Sequence, residues 1–120
     1  MIVHNYNFHI YLKQNLNKEE LLKAYSYSNI LYNSLKFCNI INMGVVKHDG
    51  HIFKCPIDGL QDSEISNTGF IILNTSHLAW HTFPEENYIS LQLSTCGEPK
   101  NIEYLRELLK EVFISVDNII

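Results

Sequence analysis

Apolar and polar residues alternate along the first segment. Ile2, His4, Tyr6, Phe8, Ile10 and Leu12 share one parity, and Val3, Asn5, Asn7, His9 and Lys13 the other, with Tyr11 as the exception. Period-two patterning with aromatic and β-branched residues predicts a half-buried strand. The period then changes. Asn17-Lys18-Glu19-Glu20 matches a capping box, in which an Asn side chain and a Glu three residues on satisfy the free amides of a helix start. Leu21, Ala24, Tyr25, Leu31, Tyr32, Leu35 and Cys38 follow at helical spacing, predicting one long helix to about residue 38. A short strand is predicted at 45–48. The stretch 49–67 carries Gly50, Pro56, Gly59, Asp58, Asp62 and Glu64 and reads mainly as loop, with a short strand at 51–53. Strands are predicted at 69–75, 77–83 and 88–95, with Pro84-Glu85-Glu86-Asn87 turning between the last two. After the turn Gly97-Glu98-Pro99, Ile102, Leu105, Leu109, Val112 and Phe113 mark an amphipathic helix. The order predicts an α+β fold, an antiparallel sheet with two main helices on one face, in a single domain over 1–120. In the segment 88–96, Ile89, Leu91 and Leu93 share one parity, while Tyr88, Ser90, Gln92, Ser94 and Cys96 make the other polar. Such a face suits open solvent, a wet pocket or a second sheet.

Composition narrows the class. A chain of 120 residues, 46% hydrophobic and 18% charged, has room for one core and the balance of an ordinary globular protein. The net charge of −4 argues against nucleic acid as a partner, since phosphate binding draws on clustered Lys and Arg. Three cysteines without a C-x-x-C pair suggest neither a disulfide framework nor a four-thiolate zinc site, and point to a reducing compartment. The first ten residues have no basic leader, and the apolar runs are too short to span a bilayer. A cytoplasmic location and no membrane partner are expected. So short a chain supplies few walls for a pocket, which favours pairing with a second copy.

The densest chemistry lies in Ser76-His77-Leu78-Ala79-Trp80-His81-Thr82-Phe83-Pro84-Glu85, with Cys96 at the end of the next strand. If the two strands pair through the turn at 84–87, Ser76 and Cys96 approach one another and His81 lies further along. Three readings compete. His77 and His81 could ligate a metal with His48, His51 or Cys55, but the ligand spacing is not diagnostic and no metal is expected. A Ser–His hydrolase lacks the G-x-S-x-G elbow. In the third reading Ser76 is consumed to make a cofactor. Each residue also has an ordinary role: His81 as a sheet histidine, Cys96 and Cys38 as packing, Glu85 as an exposed turn acid, Phe53 as core.

Taken together, Ser76-His77-Leu78, His81-Thr82-Phe83-Pro84-Glu85 and Thr95-Cys96-Gly97 resemble the short prokaryotic S-adenosylmethionine decarboxylases, most strongly over 69–97. The resemblance implies a pyruvoyl enzyme whose cofactor derives from its own chain. By that resemblance the hydroxyl of Ser76 would attack the preceding carbonyl, the peptide would become an ester, and elimination would cut between Thr75 and Ser76 to leave a pyruvoyl group. His81 is implied as the base, and the hydroxyl of Thr68, before Gly69, as an aid to processing. The pyruvoyl ketone serves as an electron sink in place of pyridoxal phosphate. Cys96 is implied as the acid that returns a proton to the α-carbon. Glu85 would hold the ribose hydroxyls and Phe53 would stack on the adenine. The family architecture implies a homodimer, an αββα sandwich with sites near the interface, serving polyamine (spermidine) synthesis.

The chain differs from the family pattern at three places. Thr75 stands where a Glu precedes the cleavage Ser. An acidic stretch, 61–65, lengthens the loop after Phe53, Pro56 and Gly59. The first strand ends in Lys13, near where relatives carry a Glu. These spare the processing set and fall on substrate recognition. They leave two alternatives: a pyruvoyl decarboxylase of ornithine or arginine on the same scaffold, or an unprocessed homologue that only binds.

Overall fold

One parity of the first strand disappears into the protein: Tyr6, Phe8, Ile10 and Leu12 are all buried, while Asn5, Asn7, His9 and Tyr11 stay exposed. The same division runs through the central strands 67–73, 77–83 and most of 88–96. It produces a sheet with one covered and one open face. The computed structural model describes residues 2–120. Its elements are β1 (Val3–Leu12), α1 (Lys18–Tyr25), α2 (Tyr27–Ile40), β2 (Val45–Ile52), β3 (Asn67–Leu73), β4 (His77–Phe83), a 3-10 turn (Pro84–Glu86), β5 (Tyr88–Cys96), α3 (Ile102–Val112) and β6 (Val116–Ile119). The six strands form one sheet in the order β2-β3-β4-β5-β1-β6, antiparallel at every pairing. Leu78, Trp80, Ile89, Leu91 and Leu93 join the buried side of β1 in a core with Ile30 and Phe37 of α2 and Leu105 and Leu109 of α3. None of the helices is long and apolar enough to cross a membrane among the described residues.

The fold is the expected α+β sheet with helices on one face, but three elements differ from expectation. The single long helix is broken at Ser26, whose backbone is extended (φ −60°, ψ 144°). Ser26 closes α1 by donating its N–H to the Leu22 carbonyl and opens α2 by accepting from the Asn29 N–H. The buried Asn67 side chain pins the break by donating to the Tyr25 carbonyl at 2.8 Å. The capping box at Asn17 and Glu20 forms as expected. Second, β2 is one edge strand through Asp49 and Gly50, not two fragments, because β3 pairs it without interruption from Lys47 to Ile52, past a bulge at Val46. Third, β6 was absent from the expected elements. Its four residues lack an alternating signature and pair with β1 at the other edge.

Two glycines explain the close packing beneath the site. Gly50 and Gly69 face each other across β2 and β3. A Cβ on Gly69 would collide with the Trp80 indole, and one on Gly50 with the Tyr27 ring. The missing side chains let the two rings lie against the sheet, 5.8 Å apart between centroids.

Candidate active site

Ser76 closes the β3–β4 hairpin. Ile72 opposes His77, and the Leu73 N–H donates to the Ser76 carbonyl at 2.9 Å, which leaves Asn74 and Thr75 at the exposed tip. The residues with positive φ do not include either of them, so the tip is not one of the primed turns that match the twist of a hairpin. Among the described residues, the Thr75 carbonyl and the Ser76 N–H make no hydrogen bond. The peptide that joins them is therefore not held by the ladder.

Across the β4–β5 pairing, His77 opposes Ser94 and Cys96 lies just beyond. Ser76 and Cys96 line one cleft of about 300 Å³, together with Asn74, Thr75, Met43 and Lys100. The approach expected from the strand pairing is thus realised. Cys96 is half-buried there, while Cys38 and Cys55 are fully buried. The charged residue of the cleft, Lys100, is one that the sequence patterns did not single out. Its signal was weak, a lone cation after the turn at Gly97. The hydroxyl of Tyr6 accepts from the Lys100 N–H at 2.6 Å and donates to its carbonyl at 3.2 Å.

Of the remaining candidates, Thr68, His81 and Phe53 assemble on the open face. Thr68 opposes His81, His81 opposes Ser90, and Ser90 opposes His9, so one row crosses four strands, with His51 extending it onto β2. Thr68, His81 and Ser90 line a shallow depression of about 210 Å³. The Thr68 hydroxyl donates to the Trp80 carbonyl at 2.8 Å, which fixes it beside His81. Phe53 leans on His81 with ring centroids 5.6 Å apart, and Phe83 packs on the other side of His81 at 4.4 Å. The lengthened loop does not displace Phe53. Cys55, Leu60 and Ile65 are buried and fold the loop back on the core, and the Phe53 N–H donates to the Ser66 carbonyl at 2.7 Å, next to Thr68. Glu85 sits exposed in the 3-10 turn at the far end of β4. Burial, and secondarily the negative charge of Glu85, push the Tyr25 hydroxyl well above its ordinary range.

A buried polar network missed by the sequence patterns supports this second group. Asn67 is fully buried; its amide donates to the Tyr25 and Glu64 carbonyls and accepts from the Trp80 indole at 2.9 Å. Thr82 accepts from the Asn67 N–H and donates to the Ile65 carbonyl. A polar residue at the start of a strand, adjoining Thr68-Gly69, was the only signal available.

The two groups are far apart within one chain. Ser76 and His81 are five positions apart along β4, about 16 Å at strand rise. His77 and His81, on the same face, are about 13 Å apart by the same measure, too far to share one metal ion.

Comparisons with known proteins agree with this scaffold. The crystal structure of the adenosylmethionine decarboxylase from Aquifex aeolicus superposes with a TM-score of 0.68 at 17% identity, covering 98% of this chain and 83% of that one. The S-adenosylmethionine decarboxylase proenzyme of Thermoplasma volcanium is 35% identical over 81 residues, 64% of this chain and 62% of that protein. The proenzyme of Thermoplasma acidophilum is 33% identical over 81 residues, 64% of this chain and 61% of its own. The matched region thus spans about three-fifths of the length of these curated relatives. The family model described as S-adenosylmethionine decarboxylase matches residues 13–118, and the chain belongs to that family.

Proposed function

We propose that the chain is a self-processing, pyruvoyl-dependent decarboxylase of S-adenosylmethionine, acting in the cytoplasm to supply aminopropyl groups for polyamine synthesis. The observation that carries the reading is the meeting of Ser76 and Cys96 in one cleft, at a hairpin tip whose Thr75–Ser76 peptide is unpaired. These residues fit a group made from Ser76. The serine Oγ attacks the Thr75 carbonyl carbon, the C–N bond breaks, and the peptide becomes an ester with a free Ser76 amine. Loss of the Ser76 α-proton to a base expels the Thr75 carboxylate from Cβ. Water then replaces the nitrogen, which leaves as ammonia. When formed, the pyruvoyl ketone supplies an electron sink.

The chain's own residues take the remaining roles. His81 is the base for elimination, with Thr68 at its side. Cys96 holds the proton that returns to the substrate α-carbon. Phe53 offers an exposed ring for the adenine, and the Glu85 carboxylate accepts from the ribose hydroxyls. A base acts within hydrogen-bond reach, and about 16 Å along a strand exceeds that several-fold. A second copy resolves the distance. A twofold axis crossing the strands near Ala79, with open face against open face, sets the Ser76–Cys96 cleft of one protomer opposite Thr68, His81 and Phe53 of its partner. The open face offers Phe53, Phe70 and Ile72, each roughly two-fifths exposed, for such packing. The result is an αββα homodimer with two composite sites.

The test is release of carbon dioxide from carboxyl-labelled S-adenosylmethionine, with ornithine and arginine run in parallel. Release from S-adenosylmethionine is expected. Release from ornithine or arginine alone reassigns the substrate, and release from none rejects the enzyme.

A further inference from the structure

The cleft that joins Ser76 to Cys96 carries a single formal charge. Of the residues lining it, Lys100 alone is ionised; the rest are apolar or bear neutral amides, hydroxyls or a thiol. Lys100 is held from both sides. Tyr6 grips its backbone N–H and carbonyl, and the next residue, Asn101, caps α3 by accepting from the Glu103 and Tyr104 N–H groups. The ion pairs among the described residues join Lys23 to Glu19, Arg106 to Glu103 and Lys110 to Glu107, and none uses Lys100. Lys100, a half-buried residue whose ammonium makes no ion pair among the described residues, thus lines a cleft with no acidic residue. Such a cleft attracts an anion.

We infer that Lys100 is the residue that receives the α-carboxylate of the substrate and so selects carboxylate-bearing ligands over their decarboxylated products. The inference rests on the decarboxylase reading. There the substrate amine must reach the position of Ser76, and its carboxylate, on the same carbon, necessarily lies within the same cleft. A lysine contributes one charge-assisted hydrogen bond from a flexible stem, which orients the carboxylate without clamping it. The charge it binds is lost as carbon dioxide departs. The contact is therefore stronger in the bound substrate than in the transition state, so it serves affinity more than rate. The product keeps its cationic sulfonium and amine but no anion, so Lys100 then repels it and favours release.

The test separates this assignment from the reading beneath it. In the uncleavable Ser76→Ala protein, calorimetry compares S-adenosylmethionine with the same compound lacking its carboxylate. A preference of about tenfold for the carboxylate form is expected, the scale of one charge-assisted hydrogen bond. It should fall below about threefold when Lys100→Met is added, which keeps the stem and removes the charge, and should survive Lys100→Arg. In the processed enzyme, Lys100→Met should raise KM about tenfold and leave kcat unchanged or raised by up to that same factor, never lowered. Cleavage of the Lys100→Met single variant, read by intact mass, and its cooperative melting verify that the protein is folded and processed. A preference that persists in Lys100→Met, or is absent from the Ser76→Ala parent, overturns the assignment while self-cleavage stands. A wild-type chain that never cleaves removes the decarboxylase reading and this inference with it.

Discussion

Cys38 and Cys96 illustrate how position decides what a side chain can do. Cys38 is fully buried in α2, and burial pushes its thiol up to about 12. Cys96 is half-exposed in the cleft beside Ser76. Brief treatment with iodoacetamide at neutral pH should modify Cys96 and spare Cys38, as peptide mapping would read; equal labelling would contradict the packing. The same burial has a pH consequence. Over the range from about 9 to 12 the native chain keeps the Cys38 proton that the unfolded chain releases, so stability falls as pH rises through that window. The buried Tyr25 acts in the same direction at higher pH. The melting temperature should decline above about pH 9, less steeply in Cys38→Ala. Asn67 is the other informative residue. Asn67→Ala leaves the Trp80 indole N–H without its acceptor and frees the Tyr25 and Glu64 carbonyls, at a cost of about 2–4 kcal/mol. Chemical denaturation measures it, and a loss below about 1 kcal/mol would show that water replaces the amide.

At the scale of elements, legibility followed periodicity. β1, β5 and α3 have strong alternating or helical patterns, and their apolar faces are the buried ones, as expected. Ser26 was illegible because helical spacing continues across it; the bend depends on Asn67, forty-one positions along the chain. β2 and β6 are edges whose strand character comes from a neighbour's ladder more than from their own residues. The site divides the same way. Ser76, Cys96 and His81 stood out by residue type and spacing, and Thr68 only through the family resemblance, whereas Lys100 and Asn67 matter only once the hairpins close. Ser26→Ala removes the hydroxyl that accepts the Asn29 N–H and should cost about 1 kcal/mol by thermal or chemical denaturation. An unchanged stability would mean that Asn67 alone holds the break.

At the scale of the molecule, the open sheet face unites the observations. It is crossed by a nearly continuous line of rings from His51 through Phe53, His81, Phe83 and Tyr88 to Tyr11. The cleft with Ser76 and Cys96 lies at one end of the sheet, beside the α2–β2 connection, and the row through Thr68 and His81 lies further down the strands. Composite sites make a sharp prediction. Neither Ser76→Ala nor His81→Asn should cleave alone, but mixed dimers of the two should cleave the His81→Asn chain, whose serine meets an intact histidine from its partner. No cleavage in the mixture would place each site within one protomer. Beneath all of this stands the claim that Ser76 is the source of the cofactor. Intact mass of the purified chain under denaturing conditions tests it most directly. The account predicts two fragments, residues 1–75 and 76–120, the second blocked at its N-terminus by a pyruvoyl group; a single uncleaved mass that persists on incubation would contradict it.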